Sequence, residues 1–161
     1  MNNRAEAFWM KKGILGDTVP LELNAKELVH RNNKNSELTV YGYTPMMVSV
    51  QCVQKTMDHC NHACVQYVLK DRYQKEFRGV CSCEFCYNTI YNTLPTSLLK
   101  EKEKAEKLGV KAYRLSFTIE TQQETEKIVR AFVDVYLRGQ KPDGQMQTEE
   151  TTKGHFQRGV E

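Results

Sequence analysis

The sequence predicts an α/β fold with parallel strands. In the segment 113–119 apolar and polar residues alternate with the two-residue period of a strand, and a capping-box sequence at 121–124 opens a helix directly after it. Earlier in the chain, a weaker alternation at 19–23 also runs into a capped helix. Because a strand followed by a helix recurs, parallel strands are favoured over an all-α or all-β fold.

Length and composition describe one globular unit of ordinary make-up. The chain has 161 residues, of which 40% are hydrophobic and 27% are charged, enough to bury a core. Its formal net charge of only +3 argues against a dedicated nucleic-acid binder, and so against DNA as a partner. No segment has the length of a membrane span, and the first ten residues lack the apolar region of a secretory signal. We therefore expect a cytoplasmic protein without a membrane partner.

The first part of the chain is predicted to contain two strands and a helix. Residues 19–23 predict a short strand, and Asn24 is placed to cap a helix that follows it. Residues 38–50 are mostly apolar or aromatic and predict a buried strand, interrupted at Gly42 and Pro45.

A charged helix is predicted over residues 98–108. Its narrow apolar stripe consists of Leu98, Ala105 and Leu108, and the remaining positions are mostly Lys and Glu, typical of a solvated face. Gly109 is well placed to end this helix. After this helix come the strand predicted over 113–119 and the helix that begins after the capping box at 121–124.

The six cysteines all lie between residues 52 and 86. In a reducing compartment such a cluster indicates metal ligands or redox groups before disulfides. Three residues separate Cys60 from Cys64 and two separate Cys83 from Cys86, spacings that let two thiolates from one turn reach one ion. Soft thiolates select zinc or iron–sulfur clusters over magnesium or calcium. The spacing leaves three interpretations open: a zinc on these four cysteines, an iron–sulfur cluster on four of the six, or cysteines without metal.

Two histidines lie beside this cluster. His59 and His62 flank Cys60 in the sequence. We expect them to be loop residues, or hydrogen-bond donors close to the metal, before we expect them to be ligands.

Several motifs together resemble a known family. YTPMMVSVQC at 43–52, CNHAC at 60–64, LKDR at 69–72 and CYNTIYNTLP at 86–95 look like the peptidase U32 family, the collagenase-like proteases. LELNAKEL at 21–28, RLSFTIE at 114–120 and GHFQRGVE at 154–161 agree with it as well. The resemblance spans nearly all of the chain from about residue 19 onward, and the cysteine motifs make it specific.

The resemblance implies only part of the family's fold. Members have a TIM-barrel-like catalytic domain, and these motifs resemble its last strands and the cysteine-bearing extension that follows. A TIM barrel takes roughly 200 residues at minimum, which is more than this chain has. The implied fold is thus a partial TIM-barrel-like α/β unit, the last βα units, with a cysteine-rich metal-binding insertion. Such a chain would be a fragment, a truncated paralogue, or a piece that needs the missing barrel portion or a U32-type partner.

The resemblance also implies a ligand set. Family members that act as RNA-base or quinone hydroxylation factors bind a 4Fe-4S cluster through four cysteines. Carried over to this sequence, the implied ligands are Cys52, Cys60, Cys64 and Cys86. Cys83 is the rival for the fourth position, and Cys81 is left over. Zinc is the alternative metal.

Three functions follow from these observations. The family's label implies a peptidase, although no nucleophile and base can be assigned from the sequence and no HExxH zinc motif is present. The cluster-bearing relatives imply a cluster-dependent RNA-base or quinone hydroxylation factor. The third alternative is a non-catalytic module stabilised by zinc. The implied macromolecular substrate is an unfolded protein for a peptidase and RNA for a hydroxylation factor.

Four charged residues within the motifs are candidates for contacts to a substrate or to the metal's surroundings: Asp71, Arg72, Arg114 and Glu120. Each also suits a structural ion pair or a surface position. Along the chain we expect terminal barrel-type strands and a helix in 1–50, the cysteine-rich metal region in 51–95, and a helix-strand-helix unit in 96–139. A polar, irregular tail is expected in 140–161.

Overall fold

A computed structural model describes residues 3–58, 60–142 and 150–158. In these residues the fold is mixed α/β, with two four-stranded sheets. The helices are α1 (Asn3–Lys11), α2 (Ala25–Val29), α3 (Val53–Thr56), α4 (Lys102–Glu106) and α5 (Gln122–Phe132). The strands are β1 (Asp17–Thr18), β2 (Ser36–Gly42), β3 (Pro45–Ser49), β4 (Val65–Lys70), β5 (Glu76–Ser82), β6 (Tyr87–Tyr91), β7 (Thr96–Ser97) and β8 (Ala112–Ser116).

The first sheet is built around β2. Strand β1 runs parallel to the beginning of β2, and β8 runs parallel to it along the opposite side, with Leu38 opposite Tyr113. The two residues of β7 pair antiparallel with the end of β2. Within the described residues this sheet stays open and forms no closed barrel. The expected α/β class with parallel strands is confirmed.

The hydrophobic core lies between this sheet and helices α2, α4 and α5. Leu38 and Val40 of β2 are almost completely buried, as is Leu28 of α2. The predicted stripe of the charged helix is buried too, with Leu98 and Ala105 at 1% and 0% exposure. The other buried apolar members of the cluster are Val19, Tyr41, Leu99, Leu108, Ile128, Phe132, Val135 and Phe156.

Both predicted helix starts are confirmed by their caps. The Asn24 side chain accepts a hydrogen bond from the Glu27 amide at 3.0 Å, and the Glu27 carboxylate accepts from the Asn24 amide at 2.8 Å. Thr121 and Glu124 form the same capping box at α5. These reciprocal bonds satisfy amides that a helix leaves without partners in its first turn. Every helix in the described part of the chain is too short or too polar to cross a bilayer.

The second sheet is an antiparallel meander in the order β3-β6-β5-β4. Strand β5 is central, pairing with β4 from Val65↔Cys81 to Lys70↔Glu76 and with β6 at Cys81↔Asn88. The sequence prediction did not include this sheet. The long connection between β3 and β4 carries α3 and three of the cysteines.

Two strand predictions in the first part of the chain are wrong in extent. The strand expected at 19–23 is instead β1, two residues earlier, because Pro20 has no amide hydrogen to continue the pairing. The single buried strand expected over 38–50 is two strands in different sheets, and β3 is exposed on both faces. The break falls at Gly42 and Pro45, the two residues that marked the interruption.

Three further differences concern helices and strand ends. The helix expected over 98–108 begins as a 3-10 turn, Leu99–Glu101, before α4, whereas Gly109 ends it as predicted, with φ of +63°. The strand expected over 113–119 ends at Ser116. Helix α1 was not predicted. Of the expected irregular tail, 143–149 and 159–161 lie outside the described residues.

A buried polar network joins the amino ends of β1 and β2 to the segment that follows α2. Asp17 forms an ion pair with Arg31, and their side chains are only 11% and 4% exposed. Arg31 Nη1 also donates to Asn33 Oδ1 at 3.0 Å and to Ser36 Oγ at 2.9 Å. Since a buried charge without its partner is costly, this pair should matter far more than the surface ion pairs.

The replacement Asp17→Ala should lower the free energy of unfolding by about 3 to 5 kcal/mol, because it leaves the Arg31 guanidinium buried without its counter-charge. Urea denaturation followed by circular dichroism measures the loss. The matched control is Glu76→Ala, whose partner Lys70 lies 3.0 Å away in a pair more than half exposed. That change should cost less than about 1 kcal/mol. Equal losses in the two variants would contradict the role given to the buried network.

Candidate metal centre

The meander and its long connection position all six cysteines. Cys52 precedes α3, and Cys60 and Cys64 follow it in the connection from β3 to β4. Cys81 is on β5, and Cys83 and Cys86 occupy the tight turn from β5 to β6. The β5–β6 hairpin therefore places Cys81, Cys83 and Cys86 next to the connection that carries the other three cysteines.

One cavity collects most of the candidate ligands. It has a volume of ≈ 530 Å³ and is lined by four cysteines and a histidine: Cys52, Cys60, Cys83, Cys86 and His62. Three of the four ligands implied by the resemblance are in this group, together with the rival Cys83. Cys64 is exposed and does not line the cavity. His59 lies outside the described residues.

Cys81 does not line the cavity but contacts two of the cysteines that do. Its side chain is completely buried, and its Sγ lies 3.6 Å from Cys52 Sγ and 3.3 Å from Cys83 Sγ. The Cys83 thiol donates a hydrogen bond to the Ala63 carbonyl at 2.8 Å, which holds the connection against the hairpin turn. The sequence analysis left Cys81 without a role. Gly79 and Cys81 are the two buried residues of β5 and lie on the same face of the strand.

The thiols differ in their tendency to ionise. A hydrogen bond from the Lys55 backbone amide lowers the pKa of Cys52 below that of an ordinary cysteine. Hydrogen bonds from the Cys81 thiol and the Gln54 amide lower it further. Burial raises the pKa of Cys81 to about 12, and its two thiol neighbours add to the rise. Cys52 is thus the better thiolate, and Cys81 stays protonated near neutral pH.

The donor chemistry of the cavity fits a soft metal. Four thiols and an imidazole around one space are the ligand types that zinc and iron–sulfur clusters use. As the side chains stand, however, no three Cys, His, Asp or Glu side chains of the described residues are placed to hold a metal ion. Holding one would require the thiols to turn from their mutual contacts toward the cavity.

Three of the four charged candidates have structural partners. Asp71 Oδ1 accepts hydrogen bonds from the amides of Tyr73 and Lys75 at 2.8 and 2.9 Å, which closes the β4–β5 turn. Arg72 lies in the same turn with its guanidinium 4.7 Å from the centre of the Tyr73 ring. Arg114 on β8 pairs with Glu37 on β2 at 2.6 Å. None of these three lines the cysteine cavity.

Glu120 lies elsewhere, in a second cavity of ≈ 270 Å³. It follows β8, and its Oε2 accepts hydrogen bonds from the amides of Thr118 and Ile119 at 2.6 and 3.0 Å. Tyr41 and Arg78, which the sequence analysis did not single out, line the same cavity. They come from different strands, and no local spacing connects them.

No protein-family model, no curated protein and no solved structure matches this chain. The U32 resemblance therefore rests on the sequence motifs alone.

The exposure of the thiols predicts their order of reaction with iodoacetamide in the reduced, metal-free chain. Cys60, Cys64 and Cys86 are exposed and should be alkylated first, whereas the buried and protonated Cys81 should resist until the chain is unfolded in urea. Peptide mass spectrometry after timed quenching gives the rate at each site. Alkylation of Cys81 in the folded chain at the rate of Cys64 would contradict the burial of Cys81 in β5.

Proposed function

We propose that this chain is a metal-centre module of the U32 type, in which Cys52, Cys60, Cys83 and Cys86 hold a 4Fe-4S cluster. The observation that supports this set is that these four cysteines line one cavity. The set differs from the one implied by the motifs in a single member, Cys83 in place of the exposed Cys64. In the folded chain the lining of the cavity is a better guide than the spacing of cysteines along the sequence.

The ligands would come from two structural units. Cys83 and Cys86 belong to the tight β5–β6 turn, where the Cys86 amide bonds to the Cys83 carbonyl at 3.4 Å. Cys52 and Cys60 belong to the connection above it. A metal bound across the two would fasten the connection to the sheet, and its binding free energy would add to the stability of the fold. When bound, a cluster would supply electron-transfer or substrate-activating chemistry.

Zinc is the second candidate, because two cysteines with two residues between them in a tight hairpin turn are also typical of structural zinc sites. In that case the module would be non-catalytic. Cluster and zinc share the same thiolates, so they are distinguished by the metal that co-purifies with the chain.

The barrel implied by the resemblance is part of the same proposal. The parallel pairing of β2 with β8, followed by α5, suits the last units of a TIM-barrel-like fold. In the described residues β8 has no strand on its outer side. Exposed apolar side chains on β3, Met46, Met47 and Val48, suit contact with a further surface. A barrel portion on this or a partner chain would then bind the substrate, RNA or a quinone for a hydroxylation factor, or an unfolded protein for a peptidase.

The chain purified without oxygen should be brown, with broad visible absorbance and about four iron and four sulfide per chain. Each of Cys52→Ser, Cys60→Ser, Cys83→Ser and Cys86→Ser should remove most of the iron, since each would remove a ligand. Iron, sulfide and zinc are measured together by elemental and sulfide analysis.

Cys64→Ser is the matched control and should keep the metal, because Cys64 does not line the cavity. Colourless protein with about one zinc per chain, lost in the same four variants, would support the zinc alternative instead. A chain that binds neither metal, or that loses metal in Cys64→Ser as fully as in Cys83→Ser, would contradict the proposed centre.

A further inference from the structure

The second cavity lies where ligands of parallel sheets usually bind. Tyr41 is next to the last residue of β2, and Glu120 follows the end of β8, so the cavity opens at the carboxyl ends of two parallel strands. In parallel α/β folds this edge is the common place for binding sites. Arg78 of the meander and side chains of α5 complete the walls.

One carboxylate oxygen of Glu120 has no hydrogen-bond partner in the described part of the chain. Its Oε2 is held by the amides of Thr118 and Ile119, which fixes the orientation of the carboxylate. Its Oε1 is buried and has no hydrogen-bond partner among the described residues. Tyr41 lies beside Glu120, and burial followed by the charge of Glu120 raises the pKa of Tyr41. A buried carboxylate oxygen without a donor is costly, so a donor from a ligand would be favoured here.

Arg78 presents the complementary charge at the same cavity. No hydrogen bond or ion pair joins its guanidinium to another of the described residues. Glu124 is near enough for Arg78 to help lower its pKa, after the hydrogen bonds from Thr121. That carboxylate is engaged in the capping box of α5 through Oε2, which accepts from the Thr121 amide at 2.7 Å. The guanidinium is therefore available to an external anion, and its planar donors suit a carboxylate.

Apolar side chains line the same cavity, together with the charged Lys127 and Glu150. Leu94, Leu99, Ile128 and Phe132 contribute to the wall. A volume of ≈ 270 Å³ lies just below the roughly 300–1,000 Å³ of most ligand pockets, which suits a small molecule.

From this combination we propose that the cavity binds a free amino acid with an apolar or aromatic side chain. The ammonium group donates to Glu120 Oε1, the carboxylate is held by the Arg78 guanidinium, and the side chain packs against the apolar wall. This site is separate from the cysteine cavity.

The test is isothermal titration calorimetry of the whole chain with L-phenylalanine and two analogues that each lack one charged group. 3-Phenylpropanoate lacks the ammonium, and 2-phenylethylamine lacks the carboxylate. L-Phenylalanine should bind saturably, and each analogue should bind about tenfold or more weakly, because each forfeits one charge-assisted hydrogen bond.

Two variants assign each group to its partner. In Glu120→Gln the affinity for L-phenylalanine should fall to that for 3-phenylpropanoate, while 3-phenylpropanoate itself is unaffected. In Arg78→Met the affinity should fall to that for 2-phenylethylamine. Arg72→Met, which changes an arginine in the β4–β5 turn outside the cavity, should bind L-phenylalanine as the unchanged chain does.

Absence of saturable L-phenylalanine binding would overturn the proposal. Equal affinity for L-phenylalanine and 3-phenylpropanoate would do so as well, since it would indicate a simple anion site. Binding that survives both Glu120→Gln and Arg78→Met would place the ligand elsewhere. Thermal denaturation establishes that each variant is folded, and if Glu120→Gln does not fold, the exposed Arg78 position carries the test alone.

Discussion

The close approach of the Gly42 backbone to the Ser116 carbonyl is the contact on which the rest of the arrangement depends. A Cβ at residue 42 would lie 2.6 Å from that oxygen, and the φ of +153° is one that other residues rarely adopt. Here β2 and β8 are paired to their last residues, and the chain then leaves for the second sheet. Tyr41 and Tyr43, on either side of this glycine, both line one cavity. Strand β3 then begins at Pro45 and leads into the meander that carries the cysteines.

Elements with local signals could be predicted from the sequence, and those that depend on distant pairing could not. The N-cap at Asn24, the capping box at Thr121 and the helix end at Gly109 are each decided within a few residues, and each was predicted. The meander was missed because its alternation is weak: β4 has Val68 on its exposed face, and β5 has Gly79 where a large apolar residue would be expected. In the fold that glycine leaves room for the Tyr67 ring, a contact across strands that no local pattern reveals.

The candidate site was predictable to the same extent. Spacing along the chain pointed to the cysteine cluster and to pairs of thiols that could act together. It left Cys83 and Cys86 as rivals for the fourth ligand and did not reveal that Cys64 lies outside the cavity, because that depends on which part of the connection folds over the β5–β6 turn. Glu120 was singled out from a motif, whereas the groups around it, Tyr41 and Arg78, come from two other strands and are joined to it only by the fold.

Strand β5 shows why the two cavities are parts of one structure. Successive side chains of a strand point to opposite faces, so Gly79 and Cys81 face the connection that carries Cys52, while Arg78 faces α5 and Glu120. Strand β5 thereby contributes Arg78 to one cavity and, through Cys81, contacts two of the cysteines that line the other. The cysteine-rich region is therefore more than an insertion that could be removed cleanly, because its deletion would take away the Arg78 guanidinium and leave the cavity beside Glu120 without a cation from the meander.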